Sequence, residues 1–270
     1  MPSDDSARIE FRDDERGGVT VLRDGHPQSY VDVGDPGFLA FEYVQHFASV
    51  LDLLPAGPLA VTHVGGAALT LPRYVQHTRP GSPQIVLEPD AELTQAVREK
   101  LPLPRGHRIR VRPTDGWTGL QQLADASADA VVIDAFDEGR VPGDLVTTAS
   151  LHRCSHVLKP NGVLLFNIAD RPERAFLKRV LATAATAFDA MALLTTTEVM
   201  KKKRFGNYVL IASSTLDEAA LGRRAAASDF PTAFVRAGET AAWARSAKPI
   251  ADPDEDPAPP PETSGTLRFR

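Results

Sequence analysis

Short apolar runs alternate with stretches of helical spacing over most of this chain. The apolar runs occupy residues 59–64, 84–88, 108–112, 128–134 and 162–168, and helical stretches lie near 68–79, 91–101, 117–125 and 146–158. Runs that are apolar on both faces and joined by helices are typical of parallel strands covered on both sides. The pattern therefore predicts an α/β fold with a doubly wound, Rossmann-like sheet, which we place at residues 58–245.

The segment before this sheet has a different pattern. Two short β-branched runs lie on either side of Asp24 and Gly25, and an Asp-Gly pair between such runs is typical of a β-hairpin. Apolar residues at helical spacing then predict a helix over residues 38–54. We expect residues 19–57 to form a small N-terminal β-hairpin attachment with its helix, after a flexible, charged lead at 1–18.

The sequence after residue 171 has two parts that differ in composition. A helix is predicted at 172–187, and the runs at 193–200 and 207–214 predict a closing pair of strands. Residues 246–270 contain six prolines and five acidic residues but few large apolar ones. Because such a segment buries too little apolar surface to offset the entropy of ordering, we expect a disordered tail.

Charge and cysteine content narrow the classes of function. The formal net charge is −5, and no basic stripe indicates a nucleic-acid partner. The N-terminus lacks the apolar core of a signal peptide, and no apolar run approaches the ~18 residues of a membrane helix, so we expect no membrane partner. The single cysteine, Cys154, excludes an intramolecular disulfide and fits a reducing compartment. These features favour a cytoplasmic protein.

Candidate ligand-binding residues follow the first two parallel strands, at the edge where open sheets bind ligands. Gly65 and Gly66 follow the first strand and can bring backbone N–H groups close to a ligand, although Gly-Gly also serves any tight strand–helix turn. Glu88 ends the second strand, where a carboxylate can accept hydrogen bonds from a ribose diol. The alternative is a helix N-cap, a role that suits Asp90 better.

Acidic residues also follow the third and fourth strands. Asp115 and Gly116 come after the third strand, where an aspartate can accept from an adenine amino group. Asp134 and Asp137 come after the fourth; the alternatives are a strand-terminal cap and a solvated loop acid. A glycine turn followed by acids on successive strands favours an adenosyl nucleoside over NAD, because no G-x-G-x-x-G pyrophosphate loop is present.

From about residue 19 to 214, the chain resembles the spermidine synthase (polyamine aminopropyltransferase) family. The segment that begins L-R-D-G-H-P-Q is similar to that family's L-x-L-D-G-x-x-Q, and the F-E-Y-V-Q-H-F segment is similar to its D-E-F-x-Y-H-E. The resemblance implies that Gln28 contacts the cofactor and that Tyr43 lines the substrate pocket. It also implies that Glu88 binds the ribose and Asp115 the adenine.

The run Asp134-Ala135-Phe136-Asp137 resembles the family's D-[SA]-[ST]-D motif. The resemblance implies that the first aspartate is the catalytic base and that the second binds the amine substrate. Residues 138–145 match the family's gatekeeping loop in length, and the family's Pro-Leu-Phe-Thr corresponds to a run that starts at Asp144. The implied protein is a homodimer with a class I methyltransferase-type sheet, which transfers an aminopropyl group from decarboxylated S-adenosylmethionine to a small amine.

Three departures from the family pattern leave other functions open. Ala67 replaces the aspartate of the family's G-G-G-D-G-G loop, Val44 replaces a histidine, and Asn207 replaces a pocket tryptophan. The pattern resembles divergent, actinobacterial-style members of the family. Because the lost aspartate contacts the aminopropyl amine, intact S-adenosylmethionine and a methyltransferase activity are the main alternative. A non-catalytic nucleoside-binding regulator is the other.

Two further motifs favour ordinary structural roles. His152 and His156 are four residues apart on a predicted helix with Cys154 between them. Because Cys154 points off the face that the histidines share, we expect no metal site. The basic run at 201–204 lies between the last two predicted strands, where a solvated hairpin loop is favoured over an anion site.

Overall fold

The computed structural model describes residues 8–255 and 258–260. Its strands are β1 (Ile9–Asp13), β2 (Gly18–Arg23), β3 (His26–Asp32), β4 (Val61–Val64), β5 (Gln84–Leu87), β6 (Ile109–Arg112), β7 (Ala128–Ile133), β8 (Leu158–Asp170), β9 (Ala190–Thr196), β10 (Gly206–Ser213) and β11 (Thr232–Val235). Its helices are α1 (Glu42–Leu51), α2 (Thr70–Thr78), α3 (Ala91–Lys100), α4 (Gly116–Gln121), α5 (Thr148–Val157), α6 (Ala175–Ala184), α7 (Thr197–Met200), α8 (Glu218–Ala226) and α9 (Ala237–Ala244). None of the helices within these ranges is long and apolar enough to cross a lipid bilayer.

An eight-stranded sheet forms the centre of the fold, with the order β11-β9-β10-β8-β7-β4-β5-β6. Strands β4 to β8 pair in parallel, whereas β10 is antiparallel to β8 and β9. Val132 and Leu165 pack into one apolar cluster, while Ile133 and Phe166 pack into another. Because successive side chains of a strand point to opposite faces, both faces of the sheet are covered. The predicted doubly wound α/β fold is confirmed.

The N-terminal attachment contains the predicted hairpin, formed by β2 and β3 around Asp24 and Gly25, and β1 extends it to a three-stranded antiparallel sheet, β1-β2-β3. Strand β1 pairs with β2, placing Phe11 opposite Val21. Ile9 and Phe11 alternate with polar residues, so they share one face of β1, and both pack on the apolar cluster between the hairpin and α3. The expected flexible lead at 1–18 is therefore wrong for β1; residues 1–7 lie outside the described part of the chain.

The predicted strand at 193–200 ends early. Strand β9 ends at Thr196, whose side-chain oxygen caps the short helix α7 by accepting from the N–H of Val199. This local hydrogen bond offers the backbone an alternative to the strand ladder. Beyond β10, the chain continues through α8 to β11, which pairs with β9 at the sheet edge.

The described part of the 246–270 tail packs against the domain, so the expectation of a wholly disordered tail is wrong. The Ile250 side chain is fully buried. Its backbone N–H donates to Oγ1 of Thr183 on α6, and its carbonyl accepts from the N–H of Thr148 on α5, both at 2.9 Å. Ala258 is also buried. Composition did not predict this packing, because one apolar side chain and two backbone hydrogen bonds are enough to hold the segment against two helices.

Candidate functional site

A cavity of about 680 Å³ lies at the carboxyl ends of the parallel strands. Its walls come from the ends of β4, β5 and β7, the start of α4, part of β3 and the start of α1. Open parallel sheets bind ligands at this edge, because the strand-to-helix turns present backbone N–H groups there. All of the ligand-binding and catalytic residues predicted from the sequence border it: Gln28, Tyr43, Gly65, Gly66, Glu88, Asp115, Gly116, Asp134 and Asp137.

The turn after β4 needs both of its glycines. Gly65 has a φ of +82°, and a Cβ there would lie 2.2 Å from the carbonyl oxygen of Asp134. A Cβ on Gly66 would lie 2.4 Å from Cγ1 of Val86. Only glycine adopts this backbone geometry without a clash. The pair therefore lets the turn pack directly against β5 and β7, which brings its backbone to the cavity wall.

Glu88 holds the glycine turn from the end of β5. Its Oε2 accepts the N–H groups of Gly66 and Ala67, each at 3.0 Å, and its Oε1 accepts the N–H of Asp90 at 3.1 Å. Asp90, not Glu88, is the N-cap of α3, where it accepts from the N–H of Leu93. The carboxylate of Glu88 thus borders the cavity and holds the glycine turn at the same time.

Asp115 lies at the start of α4 on another wall of the cavity. Its Oδ1 accepts the N–H of Thr118 at 2.8 Å, and this backbone hydrogen bond lowers the pKa of the carboxyl. The next residue is Gly116, where a Cβ would lie 2.4 Å from Cγ1 of Val64. Close packing of α4 on β4 therefore fixes an exposed, ionised carboxylate at the cavity rim.

Asp134 lies half-buried at the end of β7, between two hydrogen-bond donors. Nδ2 of Asn167 on β8 donates to its Oδ1 at 2.9 Å, and the hydroxyl of Tyr43 donates to the same carboxyl. Burial raises the pKa of Asp134 to about 6, an effect that the two donors only partly offset. Burial and the neighbouring Asp134 also raise the pKa of Tyr43. The tyrosine is therefore a neutral donor, and Asp134 changes its charge close to neutral pH.

Asn167 and His63 belong to this region but were not assigned a role from the sequence. His63 is buried on β4, where its Nε2 lies 2.8 Å from Oε1 of Gln84. Burial lowers the pKa of His63 to about 4, so the ring is neutral at pH 7. Both residues are buried polar side chains in largely apolar strands. Buried polar groups of this kind need partners, and that requirement is the signal that would have identified them.

Asp137 and Gln28 lie at the mouth of the cavity. Asp137 is exposed, and its backbone exchanges two hydrogen bonds of 2.8 Å with Arg140, which closes the turn of the loop after β7. Nε2 of Gln28 donates to the carbonyl of His26 at 3.3 Å. Within residues 8–255 and 258–260, no other side chain forms a hydrogen bond with the side chain of Asp137 or Gln28. Both side chains can therefore turn toward a ligand.

The cavity has a strong excess of negative charge. Arg23 is the one lysine or arginine among the described residues that line it, and its Nη1 is paired with Oδ2 of Asp90 at 3.0 Å. The acidic lining residues are Glu88, Asp90, Glu92, Asp115, Asp134, Asp137 and Asp144. Because a concave site of one sign concentrates ligands of the opposite sign, the cavity favours cations.

The His-Cys-His motif and the basic run lie elsewhere. Cys154 is buried in the core, where burial raises the pKa of its thiol to about 12, whereas His152 and His156 are exposed. Across residues 8–255 and 258–260, no group of three or more His, Cys, Asp or Glu side chains is placed to hold a metal ion. In the basic run, Arg204 pairs with Glu42 of α1 at 3.3 Å.

Similarity to characterised sequences points to one family. A comparison with protein-family models finds no match. The chain is 24% identical over 172 residues to the polyamine aminopropyltransferase of Chromobacterium violaceum, in a match that covers 62% of this chain and 65% of that protein. The chain thus spans slightly less than two thirds of the length of the curated relatives that it matches.

Similarity to solved structures is more extensive. A probable spermidine synthase from Corynebacterium glutamicum superimposes with a TM-score of 0.84 and 27% identity, covering 92% of this chain and 94% of that one. A spermidine synthase in complex with the transition state analogue AdoDATO has a TM-score of 0.59 at 19% identity, covering 88% and 81%. Human methyltransferase-like protein 13 in complex with SAH has a TM-score of 0.57 at 19% identity, covering 78% and 96%. The last two show the shared fold alone. Together, the fold and the sequence make this chain similar to the spermidine synthases and polyamine aminopropyltransferases.

Proposed function

We propose that the protein is an aminopropyltransferase-like enzyme, which transfers the aminopropyl group of decarboxylated S-adenosylmethionine to a small amine. The observation that carries the proposal is the charge of the cavity, whose lining acids face a single arginine that Asp90 already neutralises. The sulfonium donor and the amine acceptor are both cations, which such a cavity attracts. The similarity to a probable spermidine synthase supports the same assignment.

In this proposal, the two halves of the cavity have different tasks. Glu88 accepts hydrogen bonds from the ribose diol, Asp115 accepts from the adenine, and Gln28 and the turn at Gly65 and Gly66 complete the cofactor side. Asp134 is the catalytic base of the acceptor side, and Tyr43 and Asp137 bind the amine, so no metal is required. A cytoplasmic homodimer, as the family resemblance implies, is part of the same proposal.

Glu88→Ala is expected to weaken the binding of methylthioadenosine by ~1.5–3 kcal/mol, the usual cost of removing a charged hydrogen-bond acceptor. Isothermal titration measures the change. Glu88→Gln is the closest comparison, because its amide oxygen can still accept from the N–H groups of Gly66 and Ala67, while the charge and the acceptor for the N–H of Asp90 are lost. An unchanged affinity in a folded Glu88→Ala protein would remove this residue from the ligand site.

A methyltransferase that uses intact S-adenosylmethionine is the second candidate. The observation in its favour is Ala67, which lines the cavity without a charge at the position where the family's loop has an aspartate. Human methyltransferase-like protein 13, whose structure contains SAH, has the same fold. Without the aspartate, the cavity loses one feature that distinguishes an aminopropyl tail from an amino acid tail.

Titration with the two cofactors, followed by mass spectrometry of reactions with an amine mixture, tests the proposed function. We expect tighter binding of decarboxylated S-adenosylmethionine than of the intact form, and an aminopropylated product. A preference for the intact form together with a methylated product would establish the methyltransferase instead. Binding without any product would indicate a non-catalytic nucleoside-binding protein. Mass spectrometry of any ligand that copurifies with the protein gives an independent answer.

A further inference from the structure

His63 is a buried residue of the cavity wall that none of the roles described above uses. It lies on β4, two residues before Gly65, and pairs in parallel register with Val132 of β7. Asp134 continues that pairing, since its N–H donates to the carbonyl of Val64 at 2.8 Å. Side chains that are paired in register, or two residues apart on a strand, project from the same face of a sheet. The imidazole of His63 and the carboxyl of Asp134 therefore lie on the same face and border the same cavity.

The hydrogen bonds of Gln84 decide which ring nitrogen of His63 carries the hydrogen. Nε2 of Gln84 donates to the carbonyl of Pro72 at 3.0 Å, and because a carbonyl only accepts, the orientation of this amide is fixed. Oε1 of Gln84 then lies 2.8 Å from Nε2 of His63, so Nε2 must be the donor. Burial keeps the ring neutral by lowering its pKa to about 4. A neutral ring has one N–H, so Nδ1 has a free lone pair.

Nδ1 of His63 is accessible from the cavity. It has no hydrogen-bond partner among the described residues, yet it is not one of the unpartnered polar atoms that the protein encloses completely. Because the side chain is otherwise buried and borders the cavity, this nitrogen has its open side there. His46 is the contrast, because it is also buried but does not line the cavity, and its unpartnered Nδ1 is enclosed.

The lone pair of Nδ1 matches one kind of ligand group. A neutral imidazole nitrogen accepts a hydrogen bond and cannot pair with a carboxylate or another acceptor. The acids of the cavity concentrate cations. A sulfonium is a cation without an N–H or O–H to donate, whereas a primary ammonium is a cation with three N–H donors. An ammonium therefore satisfies both the charge of the cavity and the lone pair of His63.

We propose that Nδ1 of His63 accepts a hydrogen bond from a primary ammonium of the ligand, and that His63 makes the cavity select an amine over the same ligand without the amino group. This inference rests on the proposed aminopropyl transfer and deepens it. The ammonium belongs either to the aminopropyl tail of the cofactor or to the amine acceptor. Both sources fit, because His63 lies between the glycine turn of the cofactor side and Asp134 of the acceptor side.

Two thioethers that differ only in the terminal amino group test the first source: 5′-(3-aminopropylthio)adenosine and 5′-propylthioadenosine, titrated by calorimetry. The unmodified protein should favour the amine, and His63→Phe, which keeps a ring but has no nitrogen, should reduce that preference by ~10-fold or more. If the acceptor supplies the ammonium, His63→Phe should instead weaken the binding of 1,4-diaminobutane to the methylthioadenosine complex by the same factor. His46→Phe is the matched control and should change neither affinity.

Nitrogen-15 NMR of the histidine rings tests the same contact without a substitution, and so does not depend on the folding of a variant. In the free protein, His63 should carry its hydrogen on Nε2 and none on Nδ1. The Nδ1 signal should shift when the amine ligand binds and stay in place with its amine-free counterpart. The signals of His46 should not respond to either ligand.

Unchanged selectivity for the thioethers together with unchanged diamine affinity in folded His63→Phe would overturn the inference and leave the proposed function intact. An Nδ1 signal that responds to no amine would overturn it in the same way. If the unmodified protein binds neither thioether nor methylthioadenosine, the proposed function itself fails, and the inference fails with it.

Discussion

Asp134→Asn is expected to lower turnover by ~10²–10⁴-fold while cofactor affinity stays within a few fold, the range typical of losing a general base. In the proposed reaction, the nitrogen lone pair of the amine attacks the carbon next to the sulfonium. The carbon–sulfur bond breaks, its electron pair neutralises the sulfur, and the nitrogen gives up a proton. A carboxylate beside the amine promotes that proton loss, and alignment of nitrogen and carbon supplies the other large contribution.

The surroundings of Asp134 make asparagine an informative replacement. The amide oxygen can still accept from Nδ2 of Asn167, and the amide nitrogen can donate to the hydroxyl of Tyr43. Shape and hydrogen bonding are therefore retained, and only the charge is removed. Steady-state kinetics with any accepted amine, together with a separate titration of the cofactor, measures the effect.

The pH dependence follows from the raised pKa of Asp134, about 6. Because the ionised form is the base, activity should rise with pH through about 6, and Asp134→Asn should lose this rise.

The stability of the protein should also depend on the pKa of Asp134. The folded protein holds the proton more tightly than the unfolded chain, in which the carboxyl has its usual pKa of 3.8. Ionisation of Asp134 therefore costs stability as pH rises from about 4 to 6. The melting temperature of Asp134→Asn should exceed that of the unmodified protein above this window, and the two should converge below it.

Asp137→Asn provides the matched comparison, because Asp137 is exposed and has a proposed role in uniform binding of the amine. This variant should raise the KM for the amine more than it lowers kcat. Small and equal effects of both substitutions would contradict the aminopropyl-transfer mechanism. A methyltransferase acting on an acidic acceptor needs no base, so Asp134→Asn would be mild in that case.

Deletion of residues 248–270 is expected to lower the melting temperature by roughly 8–28 °C. Loss of a fully buried aliphatic side chain such as Ile250 typically costs ~2–5 kcal/mol, and each lost hydrogen bond costs about 1 kcal/mol more. For a domain of this size, each kcal/mol corresponds to ~2–4 °C. The deletion also removes the carbonyl of Pro249 and the carboxylate of Glu255, which Arg179 contacts at 3.2 Å.

Differential scanning calorimetry of two truncations tests this expectation. Truncation after Pro260 is the control, because it keeps every contact described for the tail. Ile250→Ala narrows the cause to one side chain and should account for about half or more of the lost stability, ~2–5 kcal/mol. If the long deletion melts at the same temperature as the control, the packing of Ile250 does not contribute to the stability of the protein.

Local sequence was sufficient to predict the parallel strands of the central sheet and the residues that border the cavity at their carboxyl ends. Apolar runs of strand length, separated by helical spacing, favour parallel strands, because the connecting helices cover both faces of such a sheet. The carboxyl ends of such strands must meet at one edge, so Glu88, Asp115 and Asp134 were predicted to lie together from their order alone. The close approach of the backbone at Gly65 and Gly66 was likewise predicted, because glycine has no side chain to prevent it.

Tertiary structure alone decided the contacts between residues distant in the chain. Ile250 is buried against α5 and α6, where its backbone forms hydrogen bonds with Thr148 and Thr183. The average composition of a proline-rich segment does not reveal such a binding position. The raised pKa of Asp134 likewise depends on its burial and on Asn167 of a neighbouring strand. The charge state of a carboxyl follows from desolvation and from its partners in space, which become neighbours only when the sheet assembles.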